Sequence, residues 1–190
     1  DELGDTAAAT WWYVAVVSDT VADADLVINT PGPDIDAVAL ERRGQPTVWA
    51  RAATGRITRG AGDENANADP RAAEGVSDTF AADGSCDLSE DPDATFVALG
   101  GTEGYIVFYF ADDVGRPVPL QAGDIVRVLE VSSDDCSNVS YRRADRYSVY
   151  AGTAAASDTV FSADDIRNSP LFTFVVSTAG GSAAVGLPAP

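Results

Sequence analysis

The apolar residues of this chain come in short runs of strand length, and no segment sustains helical spacing over three turns. Trp11–Val17 reads WWYVAVV, a run of aromatic and β-branched residues that suit a pleated, packed surface. Further candidate strands are Leu26–Ile28, Ile35–Leu40, Thr47–Arg51, Thr95–Leu99, Tyr105–Phe110, Ile125–Val131, Tyr147–Ala151 and Leu171–Ser177. Pro31-Gly32-Pro33, Arg43-Gly44, Gly100-Gly101, Gly115–Pro117 and Ala122-Gly123 separate them as turn signals. Short strands between regular turns predict an all-β chain, a single jelly-roll-like antiparallel β-sandwich spanning residues 1–190. Ser162–Asn168 is the one place where a helical turn is expected, with Ser162 as its N-cap.

Two segments fall outside that pattern. Residues 1–10 are small and acidic and read as a mobile lead-in. Residues 60–93 form a long acidic stretch with no strand pattern. A stretch of that length needs something to order it, such as a metal or a disulfide.

The faces of the strands carry expectations of their own. Tyr147, Val149 and Ala151 alternate onto one face, as do Phe172, Phe174 and Val176. Tyr105–Phe110 is apolar on both faces and is either central or covered by a further layer. Trp11–Val17 is also apolar on both faces, with Trp11 and Tyr13 on one side and Trp12, Val14 and Val16 on the other. Fully burying each large side chain is worth about 1.5–3 kcal/mol, so this strand must be covered. The cover is either the chain's own sheets or those of a neighbouring copy, by strand addition.

Charge narrows the partners. The 190 residues carry 30 acids against 12 basic residues, all of them Arg, for a net charge of −18. Such a field repels nucleic acid and anionic membrane surfaces. No apolar run approaches the roughly 20 residues that span a bilayer. Histidine is absent, which removes Ser–His and Cys–His nucleophiles and the usual zinc sites. Lysine is absent, which removes the phosphate loop that needs it. No enzyme chemistry is expected.

Three causes of the acidity compete: Asp-rich loops that bind divalent cations, solvation at high salt, and a GC-rich genome that favours Ala, Asp, Gly, Val and Arg over Lys. In Asp63–Glu74, oxygen-bearing side chains fall at Asp63, Asn65, Asn67, Asp69 and Glu74. Carboxylate and amide oxygens at every second residue can wrap Ca²⁺, which takes six to eight hard oxygen ligands. Ala68 replaces the glycine of an EF-hand loop and Pro70 follows, so the segment is a calcium-loop candidate and no EF-hand. An acidic solvated loop is the competing reading. Asp34 and Asp36 flank Ile35 and are further ligand candidates.

Cys86 and Cys136 both lie among polar, Asp-rich neighbours, unlike a core cysteine. With no initiator methionine, Asp1 fits a processed or trimmed N-terminus; a removed secretory signal is the simplest cause, and a truncated chain would look the same. In an exported chain two such cysteines read as one disulfide.

Four blocks recur in a known arrangement: Pro33-Asp-Ile-Asp-Ala-Val-Ala-Leu40, then Phe96–Gly101 with Gly104–Phe110, then Gly123–Val131, then Tyr147–Ala151. Their succession, over residues 33–152, resembles secreted bacterial β-sandwich surface proteins of the PEP-CTERM-associated, discoidin or jelly-roll-like kind. The resemblance implies export, a jelly roll and bound Ca²⁺, and it matches Asp34, Asp36 and Asp124 to recurrent acidic positions. The expected function is that of a secreted, cell-surface structural protein that forms homo-oligomers or homopolymers through the Trp11–Val17 strand. The alternative is a calcium-dependent carbohydrate-binding module that takes glycans on aromatics such as Trp49, Tyr141 or Tyr150.

Overall fold

The computed structural model describes residues 11–20, 32–58, 68–77, 86–87, 95–131, 136–137, 145–156, 160, 162–178 and 181–189. In chain order the strands are β1 (Tyr13–Ser18), β2 (Asp34–Glu41), β3 (Val48–Arg56), β4 (Cys86–Asp87), β5 (Val97–Ala98), β6 (Tyr105–Phe110), β7 (Ile125–Glu130), β8 (Cys136–Ser137), β9 (Tyr147–Gly152), β10 (Phe172–Thr178) and β11 (Ala183–Gly186). Helix α1 (Ala163–Asn168) lies between β9 and β10, and a 3-10 turn spans Pro70–Ala73.

The fold is all-β. Nine strands form one antiparallel sheet in the order β10-β9-β1-β6-β3-β2-β7-β11, with β5 added on β2. The sheet curls until it nearly closes into a barrel, with β10 and β11 approaching each other at its ends. β4 and β8 form a separate parallel pair. The expected Leu26–Ile28 strand and the 1–10 lead-in lie outside the described residues, as does part of the 60–93 stretch. The described part of that stretch contributes the Pro70–Ala73 turn and β4.

The main core fills the inside of the curled sheet. Val14 and Val16 of β1, Ile35, Val38 and Leu40 of β2, and Ile106, Phe108 and Phe110 of β6 are all buried there. Tyr147, Val149 and Ala151 of β9 join them, as their alternation predicts. A second cluster covers the outer face of β1, β6 and β9. There Ala15, Val17, Tyr105, Val107 and Tyr150 pack under Ala163 and Ile166 of α1. This second layer explains why β1 and β6 are apolar on both faces.

Helix α1 forms where expected. The Ser162 side chain accepts from the Asp165 amide, and Asp164 and Asp165 occupy the first turn, where the helix dipole favours acid. The faces of β10 differ from expectation. A bulge between Phe174 and Val176 shifts its register on β9. Phe172 and Phe174 turn outward, Phe174 edge-on to Tyr150 at 5.6 Å, while Val175 and Val176 pack against the main core. A single extra residue breaks the period of two that the alternation assumed.

Candidate functional site

Two places concentrate the residues that the sequence singles out: the slot that holds β1, and the end of the barrel where β2 begins and β7 ends.

β1 sits in the middle of the sheet, antiparallel to both neighbours. Ala15 faces Val107 of β6 on one side and Tyr150 of β9 on the other. Val14, Ala15, Val16 and Val17 are wholly buried. Trp11 is buried and bridges to Leu120, while Trp12 and Tyr13 are half-buried. The chain's own strands therefore cover β1 within the fold, which answers how its two apolar faces are buried. β6 and β9 make their contact through β1; without it the sheet would divide between them.

The barrel end is acidic and largely buried. Glu130, on the inner face of β7, is 0% exposed. Its carboxylate accepts from the Asp34 amide at 3.3 Å and from the Gly181 amide at 3.1 Å. Tyr147 donates its hydroxyl to the Gly181 carbonyl at 2.7 Å. Asp145, just before β9, accepts from the Thr20 hydroxyl. Asp34 is buried at the junction of β2, β5 and β7, and its Oδ1 has no hydrogen-bond partner among the described residues. Burial pushes the Asp34 carboxyl well above its ordinary 3.8, and the charges of Glu130 and Asp145 push it further. Backbones approach closely at this end. Gly32 and Gly100 both have positive φ, and a Cβ on Gly32 would meet the Gly100 carbonyl oxygen at 1.9 Å.

Asp34 makes the fold pH-dependent with a definite sign. A carboxyl whose folded pKa lies above its unfolded value binds more protons in the folded state. Its stabilising contribution is full at low pH and is lost as pH rises from 3.8 toward the raised value. Asp34→Asn removes the buried charge and is expected to raise stability at pH 7 by about 1–2 kcal/mol, with the gain vanishing near pH 4. Denaturant titrations of both proteins at the two pH values check this. Equal stability changes at both would show that the Asp34 charge is not the cause.

The remaining acidic candidates are engaged in local structure. Asp36 is buried and accepts from the Ser77 hydroxyl. Asp69 caps the Pro70–Ala73 turn, accepting from the Arg71 amide at 3.0 Å. Glu74 accepts from the Ala52 amide at 3.2 Å, tying the stretch after that turn to β3. Asp63, Asn65 and Asn67 lie outside the described residues. Among the described residues, no three of His, Cys, Asp and Glu are grouped so that they could hold a metal ion.

Asp124, an acidic position that the resemblance picked out, is buried against Arg42 in a two-pronged pair at 2.7 and 2.5 Å. Burial pushes its carboxyl up, but the Arg42 guanidinium and the Gln121 amide outweigh it and hold it low. Its role is to fasten the turn before β7 to the end of β2. Sequence reasoning missed Glu130 and Asp145, which face Asp34. A lone Glu at the end of Ile125–Val131 was the available signal, since its alternation places it on the inner face with Val126 and Val128.

Cys86 and Cys136 stand directly opposite each other in the parallel β4–β8 pair. Among the described residues no helix is long and apolar enough to cross a membrane. No family model, curated protein or solved structure matches the chain.

Proposed function

We propose that the protein is a non-catalytic structural subunit that assembles outside the cell by passing β1 from one copy to the next. The observation that carries this reading is the position of β1. Among the described strands it comes first, it is apolar on both faces, and it fills the slot between β6 and β9. The slot recognises β1 through two backbone ladders and two apolar faces. The same strand from a second copy would make identical contacts, so exchange costs little in contact energy. Residues 19–33 separate β1 from β2. A stretch of that length reaches up to about 50 Å when extended, enough to pass the strand to an adjacent molecule. The high acidic charge suits a soluble subunit that must meet its copies in a defined way, because it opposes unspecific association.

Full-length protein is expected to form ordered oligomers as its concentration rises, seen by light scattering and negative-stain microscopy. A synthetic Thr10–Ser18 peptide in excess should occupy open slots and stop growth. A protein that stays monomeric at every concentration, with the peptide without effect, would remove this reading.

A further inference from the structure

A groove of about 640 Å³ opens where β3 begins. The β2–β3 turn, the β6–β7 connection and the segment after the Pro70–Ala73 turn enclose it. Trp49 lines it and is half-buried. Ala39 stands beside Trp49 on β2, and Ala111 lines the groove from the β6 side. With two such small neighbours, part of the indole is left uncovered. Its N–H makes no hydrogen bond among the described residues.

The polar groups around the indole divide into two sets. Arg42 is committed to Asp124, and Asp112 to Arg116 and the Val114 amide. Gln45, Arg51 and Asp113 also line the groove, and their side chains have no partner among the described residues. Three planar groups, a carboxamide, a guanidinium and a carboxylate, thus line the same groove as the indole with no partner among the described residues. Together they offer donors and acceptors, each able to engage two adjacent hydroxyls.

We infer that this groove binds a neutral oligosaccharide, with one sugar ring lying on Trp49 and its hydroxyls held by Gln45, Arg51 and Asp113. The C–H face of a pyranose matches a flat apolar ring, and its hydroxyl edge matches mixed planar donors and acceptors. The charge of the groove argues against an anionic ligand. With Arg42 paired to Asp124 and Asp112 to Arg116, Glu74 and Asp113 outnumber Arg51 among the remaining charges of its lining. An extended peptide is disfavoured by backbone pairing. β2 pairs with Val48 and Trp49, β6 pairs from Ala50 onward, and the Gly75 amide takes the Ala50 carbonyl. The floor strand has little ladder left to offer. The volume lies within the range of about 300–1,000 Å³ typical of small-ligand sites. None of these residues belongs to β1, so this site stands or falls independently of strand exchange.

The test uses the full chain, with neutral gluco-, manno-, galacto- and N-acetylglucosamine oligosaccharides as probes in calorimetry and NMR titration. At least one is expected to bind. Trp49→Ala should weaken that binding by about tenfold or more, and Gln45→Ala and Arg51→Ala by several-fold each. Gln45 lies in an exposed turn, so its variant reports on the site with no risk to the fold. Phe174→Ala, which removes an exposed aromatic far along the sheet, should leave binding unchanged. Binding of no neutral oligosaccharide, binding that survives Trp49→Ala, or a preference for peptides would each overturn the inference.

Discussion

Replacing Glu130 with alanine is expected to cost the fold about 3 kcal/mol or more. Two backbone amides, those of Asp34 and Gly181, donate to this carboxylate. A buried donor left without an acceptor costs about 1–3 kcal/mol, and the vacated space adds a cavity term. The Asp34 amide belongs to the first residue of β2, and Gly181 lies two residues before β11. Glu130 therefore fastens two neighbours of β7 at one end of the barrel. Glu130→Gln keeps the shape and one acceptor oxygen, so its loss should be smaller. It also removes one of the charges that raise the Asp34 carboxyl, so stability should vary less with pH above 4. Urea titrations of wild type and both variants at pH 4 and 7 measure each effect. An alanine variant within 1 kcal/mol of wild type would mean that water satisfies those amides and that Glu130 is no fastener.

The strands were legible because a barrel wall obeys local rules. Tyr105–Phe110 matches its predicted limits, and β2, β7, β9 and α1 differ by a residue or two. β11 was not legible. Ala183–Gly186 is too small and too weakly apolar to stand out, and it is a strand only because β7 offers it an edge. The bulge in β10 was hidden for a related reason. Nothing in Phe172–Thr178 marks where one residue is extra, because β9 fixes the register from outside. The two apolar faces of β1 carried the sharpest information. They required cover on both sides, and the structure supplies it with the core inside and α1 outside. The pattern could not say which chain supplies the cover, since identical copies offer identical slots.

The polar sites were less legible, because chemistry there depends on which strand ends meet. Asp34 attracted notice as one of a pair flanking Ile35. What sets it apart from Asp36 is contact. Asp36 accepts from the Ser77 hydroxyl, while Asp34 has an oxygen without a hydrogen-bond partner among the described residues, close to Glu130. Glu130 is about 100 residues away along the chain and comes near only because β2 and β7 pair. Tyr150 illustrates the opposite error. An exposed sugar-binding ring was expected, yet it is 9% exposed, packed in the layer under α1. Trp49, by contrast, lines a groove, with an alanine flanking it across the strand pair. Tyr141 lies outside the described residues.

Reduction of the protein is expected to lower its stability by roughly 4 kcal/mol, through loss of a Cys86–Cys136 disulfide closing a loop of about 50 residues. The two positions are directly opposed in the β4–β8 pair, the only parallel pairing among the described strands. Neighbouring strands lie about 4.8 Å apart. That spacing falls inside the 4.4–6.8 Å range that disulfides span between Cα atoms. Two strands of two residues each have too few ladder bonds to hold together alone, so a covalent tie between them is expected. The tie would join the stretch before β5 to the connection between β7 and β9, both of which lead to strands at the acidic barrel end. Intact mass after alkylation, without reductant, counts the thiols. Protein expressed in an oxidising compartment should take up no label, and after reduction it should take up two. Its melting temperature should then fall, and Cys86→Ser and Cys136→Ser should each reproduce the fall without reductant. Two labelled thiols in the untreated protein would end the idea. A melting temperature indifferent to reduction would instead confine the bond to a segment that does not limit the unfolding of the barrel.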